Sequence, residues 1–234
     1  MPHLRGVLFD LDDTLADSSA VEERIWNDVA ALIARRFDGL DRGALRARYL
    51  EALHRHYPAL AAGDIDMPTF RRIRLADALE PWGPLEDELL EAYIAEKARI
   101  ADEMVPAAGA IETVRALRER GIRVGVLTNG PSAFQRRKLE TSGVGTEVDA
   151  IAVSGELGVA KPDERAFELA LALLGTDAGE TAMVGDSLEN DVLGAMRAGL
   201  AAVVWMPGAR NGAAPHGALV ARAVPEVPGL LGIV

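Results

Sequence analysis

An α/β fold, a doubly wound and mostly parallel sheet with an inserted all-helical segment, is predicted by three observations. Short apolar runs without alternation recur at residues 6–9 (GVLF), 122–127 (IRVGVL), 148–153 (VDAIAV), 181–184 (TAMV) and 201–205 (AAVVW), the pattern of strands buried on both faces of a parallel sheet. Amphipathic stretches at 110–120, 132–142, 163–174 and 190–198 alternate with them, and Gly121, Gly143, Gly175 and Gly199 stand where helix C-caps belong. Residues 19–105, by contrast, carry helical periodicity and charge but no strand signal.

The elements follow in order. After the first strand, four helices are expected at 20–37, 41–57, 67–79 and 85–103, broken at Gly39, Pro58, Gly63 and the PWGP turn at 81–84. The chain then returns to strand–helix alternation, so the core is expected over residues 1–18 and 106–234 with the helical insert over 19–105. Beyond Pro207, glycine and proline predict loops around a short last element. A length of 234 residues suits one core domain plus an insertion.

Composition narrows the function classes. The 49% apolar content is ordinary globular stock. With no cysteine, disulfide frameworks, thiolate zinc sites and cysteine nucleophiles are excluded, and an intracellular, cytoplasmic setting is favoured. No signal-like h-region and no stretch of spanning length is read, so a soluble protein without membrane partners is expected. A net charge of -11 disfavours a nucleic acid polymer as partner, and any phosphate site must be local.

In an open parallel sheet, ligands gather beyond the carboxyl ends of the strands. Polar clusters fall at those ends in turn: Asp10 and Asp12, then Thr128-Asn129-Gly130, then Lys161-Pro162, then Gly185-Asp186 with Asp191. Asp10 and Asp12 are two apart and turned to one side, where both ionising is costly without a cation. Magnesium, which takes a few carboxylates and shares phosphate oxygens, relieves that repulsion, with Asp186 as a further carboxylate. The competing reading makes these aspartates caps of turns and helices; four coordinated clusters favour the metal and phosphoryl chemistry.

The segments DLDDT, LTNG, KPD and GDSLENDVLGAMRAG resemble, in order and spacing, the four motifs of the haloacid dehalogenase superfamily across the whole core. The helical insert resembles the all-α cap of its subfamily I, over a Rossmann-like core. Stretches around LTNGPSAFQRRKLETSGV are similar to pyrimidine nucleotidases and N-acylneuraminate 9-phosphatases. The resemblance implies a Mg2+-dependent phosphomonoester hydrolase of a small phosphorylated metabolite, a nucleotide or sugar phosphate. By that resemblance Asp10 is the nucleophile and forms an aspartyl-phosphate, while Asp12 is the acid and base, for which a slightly raised pKa would suit. Asp10 and Asp186 bind magnesium by side chain and Asp12 by its carbonyl; Asp191 stands behind them, orienting ligands or Lys161. Thr128, Asn129 and Lys161 hold the phosphoryl group. A phosphomutase of the same fold is the alternative; Asp12 argues against a 2-haloacid dehalogenase, and complete motifs argue against a non-catalytic binding protein.

Other residues are read as structural. Ser187 and Asn190 cap the helix after Gly185, and Asp13 and Thr14 brace the turn. His54 and His56 are surface imidazoles, Arg71, Arg72 and Arg74 the wet face of a helix, and Trp26 and Trp82 core aromatics.

Overall fold

The computed structural model describes residues 3–62, 64–208 and 213–233. Within them a six-stranded sheet runs in the order β3-β2-β1-β4-β5-β6. Its strands are β1 (Gly6–Phe9), β2 (Arg123–Thr128), β3 (Ala150–Val153), β4 (Thr181–Gly185), β5 (Ala202–Trp205) and β6 (Leu219–Val220). Every pairing is parallel, including that of β6, the short last element. β1 lies between β2 and β4; the strand order reverses there, which opens a crevice beyond the carboxyl ends of β1 and β4.

The chain divides into two compact units, Met1–Val21 with Ala101–Val234, and Glu22–Ile100. The junctions fall a few residues inside the expected 19 and 105, because the flanking residues are tied to the sheet unit. Ser18 hydrogen-bonds Asp12, Thr141 Oγ1 donates to Ala101 O at 2.5 Å, and Arg137 pairs with Asp102 at 2.7 Å.

In the sheet unit, helices α5 (Ala110–Glu119), α6 (Ser132–Thr141), α7 (Ser154–Leu157), α8 (Glu164–Leu174) and α9 (Gly194–Arg197) lie between the strands, and α10 (Val227–Leu230) follows β6. One face of the sheet packs Leu8, Leu127 and Met183 against Phe167, Leu171 and Val192. Gly121, Gly143, Gly175 and Gly199 all take left-handed φ, 72° to 77°, where L side chains are strained. The helix expected at 190–198 instead begins as a π-helical turn at Leu188–Leu193 and continues as α9. Hydrophobic periodicity does not distinguish the two, and π turns gather at functional sites.

The helical unit holds α1 (Ser18–Ala34, from Glu22), α2 (Arg42–Ala62), α3 (Met67–Leu79) and α4 (Asp87–Asp102, to Ile100). Its core joins Ile25, Ile33, Leu45, Leu75 and Leu79 to an aromatic group in which the Trp26 and Tyr49 rings lie 4.5 Å apart. Pro58 does not break α2, contrary to expectation. It sits near the helix end, so the missing N–H costs one hydrogen bond, and the alanines and leucine of 59–62 are strong helix formers that carry the turn onward. Gly63, the other expected break, lies outside the described residues. Among the described residues no helix is long and apolar enough to cross a membrane.

Candidate active site

The residues expected at the strand ends come together in one cavity of about 280 Å³, lined by Asp10, Asp12, Thr128, Asn129, Lys161, Asp186 and Asp191 among others. Asp10 N–H donates to Val184 O at 2.9 Å, extending the β1–β4 ladder by one residue and setting Asp10 at the crevice. The chain then turns through Asp13, whose φ of 58° is left-handed. Asp13 holds that conformation by accepting from Ser19 N–H (2.6 Å) and Ser19 Oγ (2.7 Å), a local bond of the kind that lets aspartate occupy this region. The Thr14 hydroxyl, in contrast, is buried without a hydrogen-bond partner among the described residues, so its bracing of the turn rests on packing and on its N–H to Leu11 O.

Lys161 is the hub. Its ammonium, 2% exposed, lies 2.6 Å from Asp10 Oδ1 and 2.6 Å from Asp191 Oδ1. The Asn129 side chain pins the lysine's main chain, accepting from Lys161 N–H (2.9 Å) and donating to Lys161 O (2.8 Å). These two bonds tie the loop after β2 to the segment that carries Lys161. Asp191 takes Lys161 on Oδ1 and the Ser187 N–H on Oδ2 at 2.9 Å. This fold-back requires glycine at 185, where a Cβ would stand 2.3 Å from Asp191 Oδ2. Ser187 Oγ accepts from Asn190 N–H at the start of the π turn, as expected of a cap. Trp205 Nε1 donates to Asp186 O at 2.9 Å, fixing the chain that carries Asp186.

Carboxylate oxygens of Asp10, Asp186 and Asp191 lie within 4.8 Å of one another. Burial pushes the Asp10 carboxyl well above its ordinary range; the Lys161 charge opposes this, and Asp191 and Asp12 add to it. Lys161 is held protonated, since the two carboxylates outweigh its own burial. Three carboxylates against one ammonium leave an excess of negative charge in a mostly dry site, and the donors are hard oxygens. That donor set fits magnesium.

Three residues absent from the expectations complete the site. Asp12 Oδ1 accepts from Ser18 Oγ and from Lys138 Nζ (2.6 Å), and Asp12 Oδ2 accepts from Gln135 Nε2 (3.0 Å). Burial alone would raise the Asp12 carboxyl, but the Lys138 charge and these bonds hold it below the ordinary range. The expected upward shift is therefore corrected, because the sequence reading did not place a cation against Asp12. The Gln135 amide also donates to Thr128 Oγ1 at 2.5 Å, which leaves the threonine's own proton to donate into the cavity.

A parallel α/β fold with its crevice at the strand-order reversal, and four loops meeting there around paired aspartates, is an arrangement suited to a metal ion and a phosphoryl group. The chain belongs to the haloacid dehalogenase-like hydrolases, whose family model matches residues 4–199. Its enzyme class is phosphatase, a hydrolase acting on phosphoric monoesters. It is 34% identical to a phosphoserine phosphatase of Thermus thermophilus over 87% of this chain and 88% of that one. It is 29% identical to the human N-acylneuraminate-9-phosphatase, over 92% and 86%. It is also 39% identical to the pyrimidine 5'-nucleotidase YjjG of Escherichia coli, over 51% of each chain.

Proposed function

We propose that this protein is a magnesium-dependent phosphatase of a small cytoplasmic metabolite, a nucleotide or a sugar phosphate, working through an aspartyl-phosphate. The observation that carries this reading is the Lys161 ammonium bridging Asp10 and Asp191 beside Asp186 at the sheet's crevice. Asp10 is the nucleophile: a carboxylate at a strand end, oriented by its own main chain and by Lys161. Asp10 and Asp186 would hold magnesium by side chain and Asp12 by its carbonyl, with Asp191 orienting Lys161 from behind. When bound, the ion neutralises the excess charge and polarises a phosphoryl oxygen.

The chain's own groups do the rest. Lys161, the Thr128 hydroxyl and the Asn129 N–H receive the phosphoryl oxygens, with positive charge and donors already in place before reaction. Asp12, which Lys138 keeps ionised in the free protein, takes a proton from solvent as the substrate binds, gives it to the departing alkoxide and then accepts one from the water that cleaves the aspartyl-phosphate. The relatives' names support the substrate class: one acts on phosphoserine, one on an N-acylneuraminate 9-phosphate, one on pyrimidine 5'-nucleotides. The helical unit is read as the cap that selects the leaving group.

The test is phosphate release from a panel of nucleoside monophosphates, sugar phosphates and phosphoserine, with magnesium or with chelator. Release that requires the metal, with a preference inside the panel, is expected. Release undiminished by chelator would remove the metal from the reading, and no release from any member would remove the substrate class.

A further inference from the structure

Helix α6 buries an unusual stripe. Positions 135, 138, 139 and 142, spaced i, i+3, i+4, i+7, face inward and hold Gln135, Lys138, Leu139 and Ser142, each at most 4% exposed. An inward stripe is ordinarily apolar, and a buried ammonium costs several kcal/mol unless paired. Lys138 Nζ has Asp12 at 2.6 Å and the Phe134 ring at 4.9 Å. Gln135 spans Asp12 and Thr128 with one amide group. The cavity is lined by Asp12 and Thr128 but, among the described residues, by neither Gln135 nor Lys138. The two therefore meet Asp12 from outside the cavity's lining.

A carboxylate offers about four lone-pair directions. On Asp12, Ser18 and Lys138 take two on Oδ1 and Gln135 takes one on Oδ2. The direction left over is on Oδ2. We propose that Lys138 and Gln135 are positioning residues that aim Asp12 Oδ2 at the leaving-group oxygen and lock it to the phosphate-binding Thr128 hydroxyl. This rests on the reading of Asp12 as acid and base.

The step balances. With a proton taken up from solvent on Asp12 Oδ2 as the substrate binds, an Asp10 oxygen bonds to phosphorus as the bond from phosphorus to the ester oxygen breaks, and that proton passes to the ester oxygen, releasing the alcohol. Water then bonds to phosphorus, its proton returns to Asp12, and the bond from Asp10 to phosphorus breaks. Misplacing a reacting group by about 1 Å costs on the order of a hundredfold, and that is the loss the pair prevents.

The test reads kcat/KM, which covers leaving-group departure, for ethyl phosphate, phenyl phosphate and 4-nitrophenyl phosphate. Nitrophenolate leaves without a proton; ethoxide does not. Asp12→Asn, Lys138→Met and Gln135→Leu should each lose far more on ethyl than on nitrophenyl phosphate, by roughly tenfold to a hundredfold for the two positioning variants. The loss should fall on kcat with KM little changed. Lys138→Arg should recover part of it, and Lys138→Met should add nothing in an Asp12→Asn background. Equal losses on all three substrates for Lys138→Met and Gln135→Leu, beside a graded loss for Asp12→Asn, would overturn the inference and spare the mechanism. An ungraded Asp12→Asn would overturn both. Should Lys138→Met not fold, Gln135→Leu carries the test alone.

Discussion

Two lysines, one in each unit, are shifted in opposite directions. In the sheet unit, Lys161 is buried between Asp10 and Asp191 and its proton is held more tightly than usual. In the helical unit, burial lowers Lys97 to about 8; Arg74, Arg71 and Arg46 add to the effect and Glu22 opposes it. Lys161 is the more deeply buried of the two and still holds its proton more tightly, so the neighbours decide. A lysine among carboxylates is a permanent charge that can stabilise a transferred phosphoryl group, whereas one among arginines sits in a surplus of positive charge. Two of these arginines are packed on aromatics, Arg74 at 3.6 Å from the Tyr49 ring and Arg46 at 4.7 Å from the Trp26 ring.

The largest effect that tests this contrast is on Lys161 itself. Lys161→Met should lower kcat/KM by about a hundredfold or more and destabilise the fold by about 3–5 kcal/mol, since Asp10 and Asp191 would be left buried without their cation. Steady-state kinetics and urea unfolding measure both. Asp10→Asn, in the same pair, should abolish turnover while keeping the unfolding midpoint near that of the parent, because a neutral amide can still accept from Lys161.

Lys97→Met should do the reverse and stabilise at pH 7, by about 1–3 kcal/mol, by removing a charge that folding desolvates. The sign with pH follows: the folded pKa, about 8, lies below the ordinary 10.5, so between them the unfolded chain binds more protons and the Lys97 contribution to stability rises with pH. The advantage of Lys97→Met over the parent should therefore shrink from about pH 8 upward and vanish above roughly pH 10.5. An advantage independent of pH would break the comparison. The smallest effect is chemical. With three lysines in the chain, Lys97 should be acylated faster than Lys161 by a lysine-selective reagent near pH 8, read by peptide mass spectrometry, since it alone of the two has an appreciable neutral fraction there.

Much of this was legible in the sequence, for identifiable reasons. Strands buried on both faces write continuous apolar runs, and the capping glycines mark a backbone conformation that other residues enter with strain, so the sheet could be read in order. Asp10 and Asp186 directly follow β1 and β4, Thr128 ends β2, and Asp12 and Lys161 lie in the segments after β1 and β3, positions that a parallel sheet gathers at one edge. Gln135 and Lys138 were missed because charge and amide on a helix ordinarily mean solvent. The available signal was the i, i+3, i+4, i+7 stripe from Gln135 to Ser142, which is buried and carries one leucine. Arg74 was read as part of a wet face for the same reason, although its guanidinium is stacked on Tyr49 and donates to Tyr49 O at 3.1 Å. His56, read as a surface imidazole, pairs with Asp77 at 2.7 Å. Such partners come from elements distant in sequence, and no local pattern announces them.

The central claim is that Asp10 carries the phosphoryl group. It is tested most directly by acid-quenching the enzyme during turnover of a substrate found in the phosphate-release panel and mapping the phosphoryl group by peptide mass spectrometry. One phosphoryl group is expected on Asp10, and none in Asp10→Asn. Turnover with the label on another residue, or undiminished turnover by Asp10→Asn, would contradict it.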